Sequence, residues 1–171
     1  MQAQTYPNIE HVVVSDGPDP VLRASLGQSD QVRFLEMPEH DPLSRWGEYA
    51  RICGDENATG DLLTHVDDDD ELLPRHVEVL VDAIERSGAD FAYSQMRINH
   101  SGRSEVIGQD PPIYGQIGVS FLYRRSLLDL GTWRIGYPSI DWDLIERWMA
   151  VGARWVYVPE VTIECYPSTC R

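Results

Sequence analysis

Short apolar runs alternate along the chain with longer stretches whose apolar residues recur at helical spacing. Residues 9–15 (IEHVVVS), 32–36 (VRFLE), 62–66 (LLTHV), 90–94 (DFAYS), 117–123 (IGVSFLY) and 154–158 (RWVYV) read as strands. Several are apolar at consecutive positions, which suits strands covered on both faces of a mostly parallel sheet flanked by helices. Pro74 stands at a first helical position. Val77, Leu80, Val81 and Ile84 follow at the spacing of one helical face until Gly88 stops the pattern. A second helix is expected from a Ser44 cap through Tyr49 and Cys53, ending by Gly60, and a third over 141–151, closed by Gly152. The polar stretch 95–115, with its Pro111 and Pro112 pair, reads as a long loop or hairpin. No internal repeat interrupts this order, and the expectation is one α/β domain over 1–171.

Ligands of open α/β sheets bind beyond the carboxyl ends of the strands. Two acidic turns fall there: Asp16 with Gly17 after the first strand, and Asp67, Asp68, Asp69 and Asp70 after 62–66. Neighbouring carboxylates repel, so a fold that gathers them calls for a cation; Mg²⁺ commonly takes one or two carboxylates plus substrate phosphates. The plainer alternative is a solvated acidic turn ahead of the Pro74 helix, where negative charge suits the helix dipole. An apolar strand followed by Asp-x-Asp also opens phosphatases of the haloacid dehalogenase type, with Asp67 as nucleophile. Glu71 stands where that motif carries Thr or Val, and the Lys those enzymes use has no counterpart.

Charge and composition narrow the choice. With 14 Lys+Arg against 28 Asp+Glu the net charge is −14, which disfavours a nucleic-acid groove. All the basic residues are Arg, so a Lys-based phosphate loop and Schiff-base chemistry are excluded for these 171 residues. Cys53, Cys165 and Cys170 form no CxxC pair and fit a reduced, cytoplasmic protein better than a zinc or disulfide framework. No apolar run approaches the roughly 18 residues of a membrane span, and the start lacks a signal-peptide pattern.

Several segments taken together resemble the family 2 glycosyltransferases with the GT-A nucleotide-sugar fold. Residues 6–17 (YPNIEHVVVSDG) look like the family's second strand and its Asp-Gly turn. Residues 49–74 (YARICGDENATGDLLTHVDDDDELLP) are similar to its Ala-Arg helix, small-residue turn, next strand, DxD loop and following Pro. Residues 117–128 (IGVSFLYRRSLL) resemble the strand and Arg-Arg-Ser turn before the acceptor helix. Residues 139–147 (SIDWDLIER) and 152–160 (GARWVYVPE) match its Asp-x-Asp-Leu segment and closing strand. These cover nearly the whole chain in the family's order, dividing it into a nucleotide-sugar half, 1–94, and an acceptor half, 95–171.

The resemblance implies an inverting, metal-dependent transfer of a sugar from a UDP- or GDP-linked donor to an acceptor hydroxyl. It implies that Asp16 meets the base, Asp67 or Asp68 the ribose, and Asp69 a Mn²⁺ or Mg²⁺ ion. Asp141 would be the general base, Arg51 would lie near the nucleotide, and Arg124 or Arg125 near the phosphates or acceptor. Each has a simpler alternative: a turn former for Asp16, a helix N-cap for Asp141, a surface charge for Arg51. The five His share no spacing and read as structural or exposed, and Trp133, Trp142, Trp148 and Trp155 as core, with Trp142 also placed to meet a sugar. Ile140 replaces the family's usual Glu, Ile52 its Asn and Pro18 its Ser. The family normally opens with a strand and helix, of which 1–6 resembles only the last turn. That expectation places a gap between the two strands bearing the acidic turns, a truncated sheet, and a chain prone to dimerise. A second class of function, an inactive GT-A domain serving as a nucleotide-binding or interaction module, fits the same residues.

Overall fold

The structure, a computed structural model, describes residues 3–26 and 32–166. Strands β1 (His11–Ser15) and β2 (Val32–Glu36) pair in parallel, with helix α1 (Pro20–Leu26) between them in sequence. Helix α2 (Glu48–Asn57) lies on β1 at Gly54, where a Cβ would stand 3.7 Å from Val14. Next come β3 (Leu62–Thr64), β4 (Glu71–Leu72), α3 (His76–Ser87), β5 (Phe91–His100), β6 (Arg103–Ile107) and β7 (Phe121–Arg124). A 3₁₀ turn (Arg125–Leu130), α4 (Ile140–Ala150) and β8 (Trp155–Cys165) complete the chain order.

The second sheet runs β3-β7-β5-β8-β4, with β6 added to β5. The α/β class stands, but the expected mostly parallel pairing is corrected to a mixed sheet. Only β1–β2 and β5–β8 are parallel, while β3–β7, β5–β7, β5–β6 and β4–β8 are antiparallel. Apolar runs report burial on both faces and carry no information on strand direction. The stretch 95–115 resolves into the hairpin reading: β5 turns at Gly102, with φ +85°, straight into β6.

Helix α3 buries Val77, Leu80, Val81 and Ile84 and ends at left-handed Gly88, starting two residues after Pro74. Its core partners include Ala92 and Leu122. On the opposite side Phe91, Tyr93, Phe121 and Tyr123 meet Leu144, Ile145 and Trp148 of α4. Trp133 and Trp148 are core, as expected, whereas Trp155 is exposed and donates to Asp110 Oδ1 at 3.0 Å.

The described residues 3–6 are not helical. Instead they cross the start of α3, where Thr5 N–H donates to Pro74 O at 2.8 Å and Gln4 Oε1 accepts from Val77 N–H at 3.0 Å. The expected separation of the two acidic turns is present: β1 pairs only with β2 and β3 only with β7 among the described residues, so their strands belong to different sheets.

Candidate active site

Helix α2 turns an unusual face inward. Its buried residues are Glu48, Arg51 and Asp55, three charged side chains at helical spacing. Charges placed there require partners. Asp55 finds three: its Oδ1 accepts from Tyr123 Oη at 2.8 Å and meets His65 Nε2 at 3.0 Å, and its Oδ2 accepts from Trp133 Nε1 at 2.8 Å. Burial, with Asp55 reinforcing it, pushes the Tyr123 phenol well above its ordinary range, so it remains a donor. One helical turn away, the Arg51 guanidinium lies 5.2 Å from the centre of the Trp133 ring and donates to Asp67 Oδ1. Trp133 therefore links the two charged groups, with His65 against it edge-on at 5.2 Å.

Strand β3 delivers the second component. His65 follows it directly, and the acidic loop closes with Asp70 N–H donating to Asp67 O at 3.2 Å. Asp68 is exposed at the turn and Asp69 is half-buried. Asp70, half-buried, accepts from the Cys165 thiol at 3.1 Å. Burial raises the Asp70 carboxyl, with the charges of Asp67 and Asp69 adding to it, and burial beside Asp70 raises the Cys165 thiol. Like charges are thus crowded, with Arg51 paired to Asp67. No set of three His, Cys, Asp or Glu is gathered into a metal cage among the described residues. The donors are hard carboxylate oxygens, suited to a divalent cation that completes its shell from a diphosphate.

Helix α4 supplies the third component. Asp141 is its second residue, not its cap: Ser139 holds the cap position with φ +54° and makes no side-chain cap bond. The helix-cap alternative for Asp141 is thereby corrected. Asp141 Oδ1 is buried with no hydrogen-bond partner. Burial raises this carboxyl, Arg51 pulls it back, Asp67 raises it further and His65 lowers it. The four groups therefore share one electrostatic neighbourhood. The loop before α4 is tied to α2 by Glu48, whose carboxylate accepts from Gly136 N–H and Trp46 N–H, each at 2.9 Å, and from Ser44 Oγ at 3.2 Å. Burial pushes the Glu48 carboxyl up, yet these donors outweigh it and hold it below its ordinary value. Gly47 holds the cap position, while Ser44 Oγ both donates to Glu48 and accepts from the first-turn Tyr49 N–H at 3.1 Å, so the expected capping bond is made from three residues upstream of Gly47.

Arg51, Asp67 and Asp141 share one neighbourhood, with Asp68 and Asp69 in the same turn as Asp67, whereas Asp16, Arg124 and Arg125 make their contacts elsewhere. Asp16 follows β1, with Oδ2 at 2.9 Å from His40 Nδ1 and Oδ1 buried without a partner. Arg124 pairs in register with Leu62, at the end of β3 remote from the acidic loop, and donates to Ala89 O at 3.0 Å. Arg125 donates to the carbonyls of Asp55, Ala58 and Gly60, closing the end of α2. Both arginines are thus moved from the nucleotide to scaffolding, because strand register aims them at the wrong end of the sheet. His65, Asp55 and Glu48 were not among the expected site residues. The legible signal was the charged stripe Glu48, Arg51, Asp55.

The solved structures most similar to this fold include S. aureus TarS 1–349 in complex with UDP (TM-score 0.75, 17% identity, 96% of this chain and 53% of that one). Its complex with UDP-GlcNAc gives a TM-score of 0.76 at 16% identity, over 96% and 52%. The chain thus spans about half the length of those structures. No curated protein sequence matches it. The Glycosyl transferase family 2 model matches residues 1–140, and with the GT-A-like fold this assigns the chain to glycosyl transferase family 2.

Proposed function

We propose that the chain transfers a sugar from a nucleoside-diphosphate donor to an acceptor hydroxyl, with inversion at the anomeric carbon. The observation that carries this reading is the buried, unpartnered Asp141 Oδ1 in the same neighbourhood as the Arg51–Asp67 pair. Asp141 accepts the acceptor's proton as its oxygen attacks the anomeric carbon. The bond from that carbon to the diphosphate breaks, and the nucleotide leaves with the electron pair. Burial that raises the Asp141 carboxyl also strengthens it as a base, matching the need for a proton acceptor near neutral pH. Arg51 holds Asp67 in place for the ribose, with Asp68 beside it, and Asp16 is the acceptor for a base N–H.

When bound, a Mn²⁺ or Mg²⁺ ion held by Asp69 would offset charge growing on the leaving diphosphate. UDP is the favoured nucleotide, since the TarS structures named above contain UDP and UDP-GlcNAc. The cytoplasm, where such donors are available and the thiols of Cys53 and Cys165 stay reduced, is the proposed compartment. No helix among the described residues is long and apolar enough to cross a membrane.

Calorimetry with UDP and GDP, in Mn²⁺ and in chelator, tests the assignment. UDP binding that needs the metal and is lost in Asp69→Ala is the expected result. Binding indifferent to both changes would contradict it.

A further inference from the structure

Strand β6 forms an exposed border of the second sheet. Its inner side pairs with β5, and no strand covers its outer side among the described residues. Arg103, Ser104, Glu105 and Val106 are all exposed.

The hairpin register decides which backbone groups face outward. Ser101 and Gly102 make a two-residue turn, so His100 and Arg103 form the closing hydrogen-bonded pair. Bonded and non-bonded pairs alternate along an antiparallel ladder. Ile98 with Glu105 is therefore bonded, whereas Asn99 with Ser104 and Arg97 with Val106 are not. The N–H and C=O groups of Ser104 and Val106 accordingly point away from β5. Among the described residues, neither makes a backbone bond beyond that hairpin. Open edges of this kind accept another strand.

Edge charges of one sign repel a second copy. β6 instead carries Arg103 and Glu105, opposite in sign and two residues apart on one face. Antiparallel two-fold registers that match outward-facing groups can be compared by what they set opposite these charges. Centring on Arg103 or on Glu105 sets that residue against its own copy, a like-charge pair. Centring on Val106 sets Glu105 against Ile107. Centring on Ser104 bonds the two Ser104 residues to each other and sets each Arg103 across from Glu105 of the second copy. That register alone gives two opposite-charge pairs. It also lays the exposed Val106 over Gly102 of the second copy, where nothing stands within 4 Å of a Cβ. Glu105 Oε1 meets His100 Nε2 at 3.1 Å, which leaves Oε2 for the incoming Arg103.

We propose that β6 is a self-docking edge. Two copies join their second sheets antiparallel about a two-fold axis at Ser104, with Arg103 and Glu105 paired across it.

Light scattering over a rising concentration series, on the parent chain and on charge-reversed variants, provides the test. The parent should dimerise. Arg103→Glu and Glu105→Arg each place like charges across the axis and should weaken the dimer about tenfold. The double variant restores opposite charges and should restore the dimer. Both positions are exposed, so the circular dichroism of the variants should match the parent's. As a second measurement, Ser104→Cys puts two thiols at the axis, on Cα atoms about 5.5 Å apart, a span that a disulfide bridges. Mild oxidation should then give a covalent dimer that the parent chain does not form. A parent that stays monomeric would overturn the proposal. So would self-association that the single reversals leave unchanged, as pairing through β1 or β3 would, or that the double variant fails to restore. Absence of the Ser104→Cys crosslink would contradict the register.

Discussion

At position 141 a buried carboxylate keeps one oxygen, Oδ1, without a hydrogen-bond partner, and this has opposite consequences for stability and chemistry. Its folded-state pKa lies above the ordinary Asp value because of burial. Above that raised pKa the folded chain holds an ion that the unfolded chain solvates better. Stability is therefore lost as pH rises from the ordinary Asp range through the raised value, and stays lower at neutral pH. Asp141→Asn should raise the denaturant midpoint at pH 7, with the gain vanishing below about pH 4. The same variant cannot accept a proton and should reduce transfer about 10²-fold or more. A variant that is active, or less stable at pH 7, contradicts the assignment. His76 gives a second residue-scale prediction. It is fully buried, with Nδ1 at 2.7 Å from Thr162 Oγ1, and burial lowers its pKa from 6.5 to about 4. Between those values the unfolded chain binds a proton that the folded chain refuses. His76 thus adds about 3 kcal/mol at pH 7, lost as pH falls from 6.5 to 4. Urea unfolding at pH 7.5 and 4.5 should show a difference that shrinks in His76→Gln.

Helix α2 is the element that joins the site, through Glu48 at one end and Asp55 at the other. Glu48→Ala removes the charged acceptor of the Trp46 and Gly136 N–H groups and of Ser44 Oγ and should cost about 3 kcal/mol. Glu48→Gln, which keeps one acceptor oxygen, should cost less. Equal losses by thermal denaturation would contradict the role. Which elements were legible follows from their physics. Helices α3 and α4 repeat apolar residues on one face and end near Gly88 and Gly152, so pattern alone locates them. Strand β4 has two residues and no periodicity to detect. The continuation of β8 to Cys165 is masked by Pro159, which lacks an N–H. The sheet accommodates it as a bulge, Ser94 pairing with Val158 and Gln95 with Val161. Likewise, Arg51 and Asp67 could be singled out by local motif, whereas Arg124 could not be excluded without strand register. The Asp55 cluster unites residues from α2, the segment just after β3, β7 and the loop after the 3₁₀ turn, contacts that no local spacing encodes.

On the scale of the molecule, two sheets lie within one chain, and β1 and β3 each keep a backbone edge with no strand partner among the described residues. Such edges invite pairing with another chain. The 171-residue chain is therefore expected to self-associate, and a stable monomer by light scattering would contradict this. The acidic loop and α4 nonetheless meet on the intact mixed sheet, so the chemistry proposed for them can be tested directly. The decisive measurement is UDP release from UDP-GlcNAc in the presence of Mn²⁺ and a hydroxyl acceptor, for the parent chain and for Asp141→Asn at equal folded concentration. The account predicts release by the parent and about 10²-fold less by the variant, with UDP affinity retained. Equal release by the two proteins, or none by a parent chain that is folded and binds UDP, would contradict it.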